Sequence, residues 1–101
     1  MLLKDGVSLK GLDIRMLALI PQIEEVLRPI TAHELVITST TDGKHSKNSL
    51  HYKGLAFDIR TRIYKQDTIK KMFQALLFAF DFCCDIVLEK DHIHVEFQPH
   101  L

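Results

Sequence analysis

The stretch from Phe82 to Phe97 constrains the fold most. In its later part Ile86, Leu88, Ile93, Val95 and Phe97 are apolar, while Asp85, Glu89, His92, His94 and Glu96 are polar. A period of two marks strands with one buried face, so two strands joined by a tight turn at Lys90-Asp91 account for the pattern. With a two-residue turn, Glu89 stands opposite His92, Val87 opposite His94 and Asp85 opposite Glu96, and opposed residues share a face. One face of the hairpin is then built of carboxylates and imidazoles. Lys-Asp is not a favoured pair for a two-residue turn, which leaves open a longer turn with a one-residue shift, felt mainly at Glu89.

Upstream, Leu12, Met16, Leu17, Leu19, Ile20, Ile23, Val26 and Leu27 recur at helical spacing, with Asp13, Arg15, Gln22, Glu24, Glu25 and Arg28 opposite. Pro21 removes one backbone donor inside this helix, predicting a kink or break near Ala18 to Ile20, and Pro29 closes the segment. Glu34 to Ser39 is short and β-branched and reads as a buried strand. A polar loop follows from Thr40 to Lys53, carrying Lys44, His45 and Lys47, and ends at Gly54. Leu55 to Thr61 reads as a second strand with Ala56, Asp58 and Arg60 on one face and Leu55, Phe57 and Ile59 on the other. From Asp67, a candidate N-cap, Ile69, Met72, Phe73, Leu76, Leu77 and Phe80 form a second helix.

A chain of 101 residues, 47% hydrophobic and 26% charged, has material for one core and no room for a second folded unit. Thirteen basic residues balance thirteen acidic ones, so no long-range field gathers nucleic acid or an anionic membrane, and neither is an expected partner. Cys83 and Cys84 are neighbours, and on an extended chain they point to opposite faces, so both are read as reduced thiols. No signal-like apolar region opens the chain and no apolar run approaches the roughly 20 residues of a bilayer span, which predicts a protein made in the cytosol.

Two segments offer metal-type ligands: Ser49 to Asp58, with His51 closing the loop and Asp58 on the strand that follows, and Asp91 to Glu96 on the hairpin. The intervening Gly54 lets the chain turn and bring both side chains to one point. A third nitrogen from the hairpin completes a His-Asp-His set with a fourth position open to water, the arrangement of catalytic rather than structural zinc. Each part alone has a plainer reading. His-x-His on an amphipathic strand is often a solvated face, a loop histidine is often a surface residue, and Glu89 and Glu96 are ordinary strand charges. Arg60 reads either as a surface ion pair or as a fork for a substrate carboxylate.

Taken together, Ser49-x-His51-x-x-Gly54-x-Ala56-x-Asp58 and His92-x-His94-x-Glu96 resemble the zinc D-alanyl-D-alanine carboxypeptidase family, which includes phage L-alanyl-D-glutamate endopeptidases. The resemblance runs roughly from Leu35 to Pro99, and the Glu34 to Ser39 and Gly43 to Ser46 stretches look like short phage and prophage members. It implies a small single-domain α+β fold with an antiparallel sheet and helices packed on one face. It also implies Zn2+ held by His51, Asp58 and His94, with Ser49 and Arg60 toward substrate. The general base falls on Asp91 by one pattern of the family. In the wider group with lysostaphin and hedgehog domains, a second catalytic histidine falls on His92. Glu89, facing His92 across the hairpin, is the rival carboxylate.

The chemistry so implied is amide hydrolysis in peptidoglycan stem peptides: zinc lowers the pKa of its water to about 7, a carboxylate takes the proton, and His92 steadies the oxyanion. Such an enzyme acts on the cell wall after release from the cell that makes it. Two other readings compete, a zinc-binding module of the same fold without hydrolysis, such as a virion or signalling component, and an adaptor with no metal. Oligomeric state and the particular bond cleaved are left open.

Overall fold

In the computed structural model, which describes residues 1–41 and 50–98, the elements run β1 (Leu2–Leu3), α1 (Ile14–Leu27), β2 (Val36–Ser39), a 3-10 turn (Leu50–Lys53), β3 (Ala56–Arg60), α2 (Gln66–Phe80), β4 (Cys84–Leu88) and β5 (His92–Phe97). The strands form one sheet in the order β1-β2-β3-β5-β4. The sheet is mixed rather than antiparallel throughout, because β1 joins β2 in parallel while every other pairing is antiparallel. The N-terminal leucines give no strand signal in the sequence, since a two-residue edge strand has too short a pattern to reveal itself.

The hairpin takes the two-residue register. Leu88 pairs with Ile93, Val87 with His94 and Asp85 with Glu96, and the Glu89 N–H donates to the His92 carbonyl at 2.9 Å. No non-glycine residue among those described has a positive φ, so Lys90-Asp91 turn the chain without the mirror-image conformations that short hairpins favour. A tertiary bond compensates: the Asp91 carbonyl accepts from the Thr61 N–H at 3.2 Å, tying the turn to the end of β3.

The register puts Ile37, Phe57, Ile59, Ile86, Ile93 and Val95 on one sheet face, where they pack with Met16, Ile20 and Ile23 of α1 and Met72, Leu76 and Phe80 of α2. Both helices therefore cover one face, and the opposite face carries the polar set. Phe97 is only partly buried, under the Arg15 guanidinium 4.5 Å from its ring centre. Leu88, expected in the core, is 39% exposed at the hairpin end, beyond the helices.

Two helix expectations need correction. Of the kink or break expected near Ala18 to Ile20, the break does not occur: α1 continues through Pro21, whose exposed position puts the missing backbone donor on the solvent side, where water can serve the carbonyl one turn back. The second helix is capped at Lys65 rather than Asp67, which instead lies in its first turn, where a carboxylate suits the helix dipole. Asp13 supplies the side-chain cap of α1 by accepting from the Arg15 N–H at 2.9 Å, and the Arg15 side chain holds its carboxyl down at about 2. Cys83 and Cys84 are both free, as expected. Their sulfurs nonetheless lie 3.5 Å apart rather than on opposite faces, because Cys83 still belongs to the turn before β4.

Candidate metal centre

Asp58 lies in β3, between β2 and β5, with His94 directly across on β5 and His92 opposite Arg60 two pairs further along, on the same face. β2 carries an irregularity between Ile37 and Ser39, so that Ser39 pairs with Asp58 out of step with Ile37 and Ile59. Bulges of this kind re-aim the chain, and the residue after β2, Thr40, meets the imidazole that arrives from the 3-10 turn. The His51 Nδ1–H donates to the Thr40 carbonyl at 2.7 Å.

Gly54 makes this approach possible. It has φ +71°, and a Cβ there would stand 2.1 Å from the Gly11 carbonyl oxygen, while its own carbonyl accepts from the Asp13 N–H at 2.9 Å. The glycine thus clamps the turn carrying His51 against the start of α1, and a side chain would force them apart.

Three atoms converge on the polar face: His51 Nε2, Asp58 Oδ1 and His94 Nδ1. Their separations are 3.3 Å from His51 to Asp58, 3.0 Å from His94 to Asp58 and 3.2 Å between the imidazole nitrogens. Tetrahedral coordination with ligand distances of about 2.0–2.1 Å places neighbouring donors about 3.3 Å apart. The donor set therefore fits a small tetrahedral cation, and His51, Asp58 and His94 form a group able to hold a metal ion. His51 and Asp58 are buried and His94 is half-buried, which leaves a side of the group within reach of solvent.

The outer nitrogen of each histidine is also held. The Thr40 carbonyl fixes a proton on His51 Nδ1, which turns the Nε2 lone pair inward, and His94 Nε2–H donates to Glu96 Oε1 at 3.0 Å, which turns Nδ1 inward. Gln98 in turn donates to the second Glu96 oxygen. Such outer partners set tautomer and ring orientation. Glu96 is visible in the motif, yet sequence reasoning gives it only the role of a strand charge; its alternation with His94 on one face is the signal that could have found it. The Thr40 carbonyl leaves none, since a backbone acceptor has no residue preference.

Without metal the group is an ion pair. Burial pushes the Asp58 carboxyl up, but hydrogen bonds from His51 and His94 outweigh it and hold Asp58 well below the ordinary carboxylate range. The bond to Asp58 raises the His94 imidazolium to about 9 against the opposing effect of burial, with Glu96 adding to the rise.

His92 approaches from the open side. Its Nε2 is 3.7 Å from Asp58 Oδ2, while Nδ1 lies 2.7 Å from Asp91 Oδ1. That bond to His92 draws the Asp91 carboxyl below its ordinary value. The structure thus links Asp91, His92 and Asp58 in sequence. Glu89 is exposed, and its side chain makes no hydrogen bond or ion pair among the described residues. Asp58, Arg60, Asp91 and His92 line one pocket of about 210 Å³. Ser49, like Lys44, His45 and Lys47, lies outside the described residues. A larger cavity of about 400 Å³ lies off the end of α1, lined by Leu27, His33, Leu35 and Tyr64 among others, and contains none of the three metal-type ligands.

No protein-family model, no curated protein and no solved structure matches this chain.

Proposed function

We propose that this protein is a zinc-dependent peptidase that hydrolyses amide bonds in peptidoglycan stem peptides, in the manner of the short phage and prophage lysis enzymes its motifs resemble. The observation that carries the reading is the convergence of His51 Nε2, Asp58 Oδ1 and His94 Nδ1 within 3.3 Å of one another. Two neutral nitrogens and one carboxylate are a donor set of catalytic zinc, which keeps a fourth position open. Zinc in such a site supplies a Lewis acid for the scissile carbonyl and an acidified water for attack.

The chain's own residues do the rest. Asp91, hydrogen-bonded to His92 at 2.7 Å, is the proposed proton acceptor, and the same carboxylate returns the proton to the leaving amine. His92, whose Nδ1–H donates to the Asp91 carboxylate, directs Nε2 toward the centre, where the doubly protonated imidazolium would offer a second N–H to the developing oxyanion. Glu96 and the Thr40 carbonyl keep the two metal-type imidazoles in the tautomers that ligation needs.

A peptidoglycan release assay tests the reading. Protein loaded with zinc is expected to solubilise stem-peptide fragments, to stop when a chelator is added and to resume on zinc replacement, while His51→Ala is inactive and retains no stoichiometric zinc. Zinc bound at full stoichiometry without any release would favour a metal-stabilised module without hydrolysis. A melting temperature indifferent to both zinc and chelator would favour an adaptor.

A further inference from the structure

We propose that β4 is the pairing edge of a symmetric homodimer, in which Cys84–Leu88 of two copies lie antiparallel about Ile86 and join the two sheets into one. The occupant of the edge is a second copy of this chain, and the inference holds whatever chemistry the metal-type group performs.

The sheet order leaves β1 and β4 as its edges. An edge strand presents unpaired backbone donors and acceptors, and natural sheets blunt it by brevity, bulges, proline or lysine. β1 has such protection, being two residues long with Lys4 directly after it. β4 has none: it is five residues long, contains no proline or lysine, and keeps an unbroken register with β5. Ladder bonds alternate along an antiparallel pair. The Glu89 N–H donates to the His92 carbonyl and the Gln98 N–H to the Cys83 carbonyl, each at 2.9 Å. The odd-numbered residues from Cys83 to Glu89 therefore bond inward to β5, and the backbone groups of Cys84, Ile86 and Leu88 point out of the sheet.

Charge and hydrogen bonding select the register. Centring two antiparallel copies on Asp85 sets that carboxylate against its own copy and leaves Leu88 without a strand partner. Centring on Val87 sets Asp85 against the partner's Glu89 and leaves Cys84 without one. Like charges directly opposed across a ladder are destabilising. Centring on Ile86 places Asp85 against the partner's Val87 instead, and the outward groups of Cys84, Ile86 and Leu88 all meet their counterparts.

Apolar exposure agrees with that register. Phe82, just before β4, is 73% exposed, and Leu88, at its far end, is 39% exposed. Pairing about Ile86 puts Cys84 opposite the partner's Leu88, so Phe82 of each copy comes beside the partner's Leu88 at both ends of the interface. The symmetry axis stands perpendicular to the sheet and the contact closes on itself. Both metal-type groups then lie on one face of the joined sheet, and the helices of both copies cover the other.

Sedimentation equilibrium of the full chain from about 1 μM to about 1 mM, with and without zinc, should show a monomer–dimer equilibrium and no larger species. Hydrogen exchange by NMR locates the contact. The N–H groups of Cys84, Ile86 and Leu88 should exchange at least about tenfold more slowly where the dimer is populated than in dilute protein, while those of Asp85 and Val87, bonded to β5 in both states, should not change. The combined Phe82→Ser, Leu88→Ser variant should dimerise about tenfold or more weakly and, since both residues are exposed, keep the circular dichroism of the folded chain. Val87→Lys, set against the partner's Asp85, should dimerise at least about threefold more tightly than Val87→Glu. Should the serine variant unfold, amide exchange and the two Val87 variants decide. A chain monomeric throughout, its edge then free for a strand of a different protein, overturns the proposal. So does an open-ended series of larger species, a dimer whose outward amides exchange as in the monomer, or equal affinities for the two Val87 variants.

Discussion

At the scale of single residues, the site depends on which nitrogen of each imidazole faces inward. Glu96 sets this for His94 through the bond at 3.0 Å, so Glu96→Gln should lower zinc affinity by about 10–100-fold, read by competition with a chromophoric chelator, although the three inward donors are unchanged. Protonation gives a second expectation. The metal-free His94 imidazole is raised from 6.5 to about 9 by Asp58, and ligation requires it neutral, so zinc displaces a proton. Affinity should therefore climb about tenfold per pH unit below about 9, and calorimetry in buffers of different ionisation enthalpy should show one proton released at pH 7. The same pair governs the stability of the metal-free protein. A raised histidine stabilises fully below its unfolded value of 6.5 and loses that contribution as pH rises through about 9. Asp58 is depressed, so its contribution is present above 3.8 and lost on acidification. The metal-free melting temperature should thus fall between pH 6.5 and about 9, and the zinc-loaded one should not follow it. For catalysis, Asp91→Asn should keep zinc but lose about 10²–10⁴-fold in turnover. Glu89→Gln should lose far less, since Glu89 is exposed with no side-chain partner among the described residues. A dead Glu89→Gln beside a fully active Asp91→Asn would transfer the role.

At the scale of elements, the 3-10 turn and β3 are held in relation by Gly54. A Cβ 2.1 Å from the Gly11 carbonyl oxygen cannot be accommodated by rotating a side chain, because the obstacle is backbone, and the left-handed φ adds its own cost. Gly54→Ala should destabilise the fold by about 2 kcal/mol or more, roughly 10 °C in Tm, and weaken zinc binding by moving His51 away from Asp58. Gly6, with φ +86° but nothing within 4 Å of where a Cβ would stand, is the control: Gly6→Ala carries only the conformational cost and should leave zinc affinity unchanged. The hairpin shows how an element tolerates unfavourable local chemistry. Lys90-Asp91 lacks the preferred turn residues, yet alternation on both strands buries Ile86, Ile93 and Val95. A one-residue slip would bury histidines and expose isoleucines.

At the scale of the whole molecule, a sheet with both helices on one face leaves the other face free for polar side chains, and the metal-type group occupies the middle of that face. A domain of this size has a modest stability margin, so a ligand that binds only the folded state registers clearly. Zinc at a hundred times its dissociation constant should add about 2.7 kcal/mol, seen as a rise in Tm of roughly 10–20 °C that a chelator reverses. His51→Ala, which removes one inward donor, should abolish that rise.

The share of this architecture legible from residue order follows from periodicity. The alternation from Asp85 to Phe97 specified the hairpin and its face of carboxylates and imidazoles, because a strand fixes the side of every second residue; the pairing of Val87 with His94 hung on the turn length, which residue order left open and the structure sets at two residues. Helical spacing likewise located α1 and α2 and their buried faces. Residue type and spacing made His51, Asp58 and a third nitrogen from the hairpin legible, with the glycine between the first two marking a turn; the choice of His94 over His92 came from the family resemblance, and the structure brings His94 Nδ1 within 3.2 Å of both other donors. The remainder depended on long-range contacts. The parallel seat of β1 and the Thr40 carbonyl as partner of His51 join residues distant in the chain through backbone groups and sheet order. Backbone donors and acceptors are the same at every non-proline residue, so their pairings leave no local pattern to read, and only the packed sheet selects them.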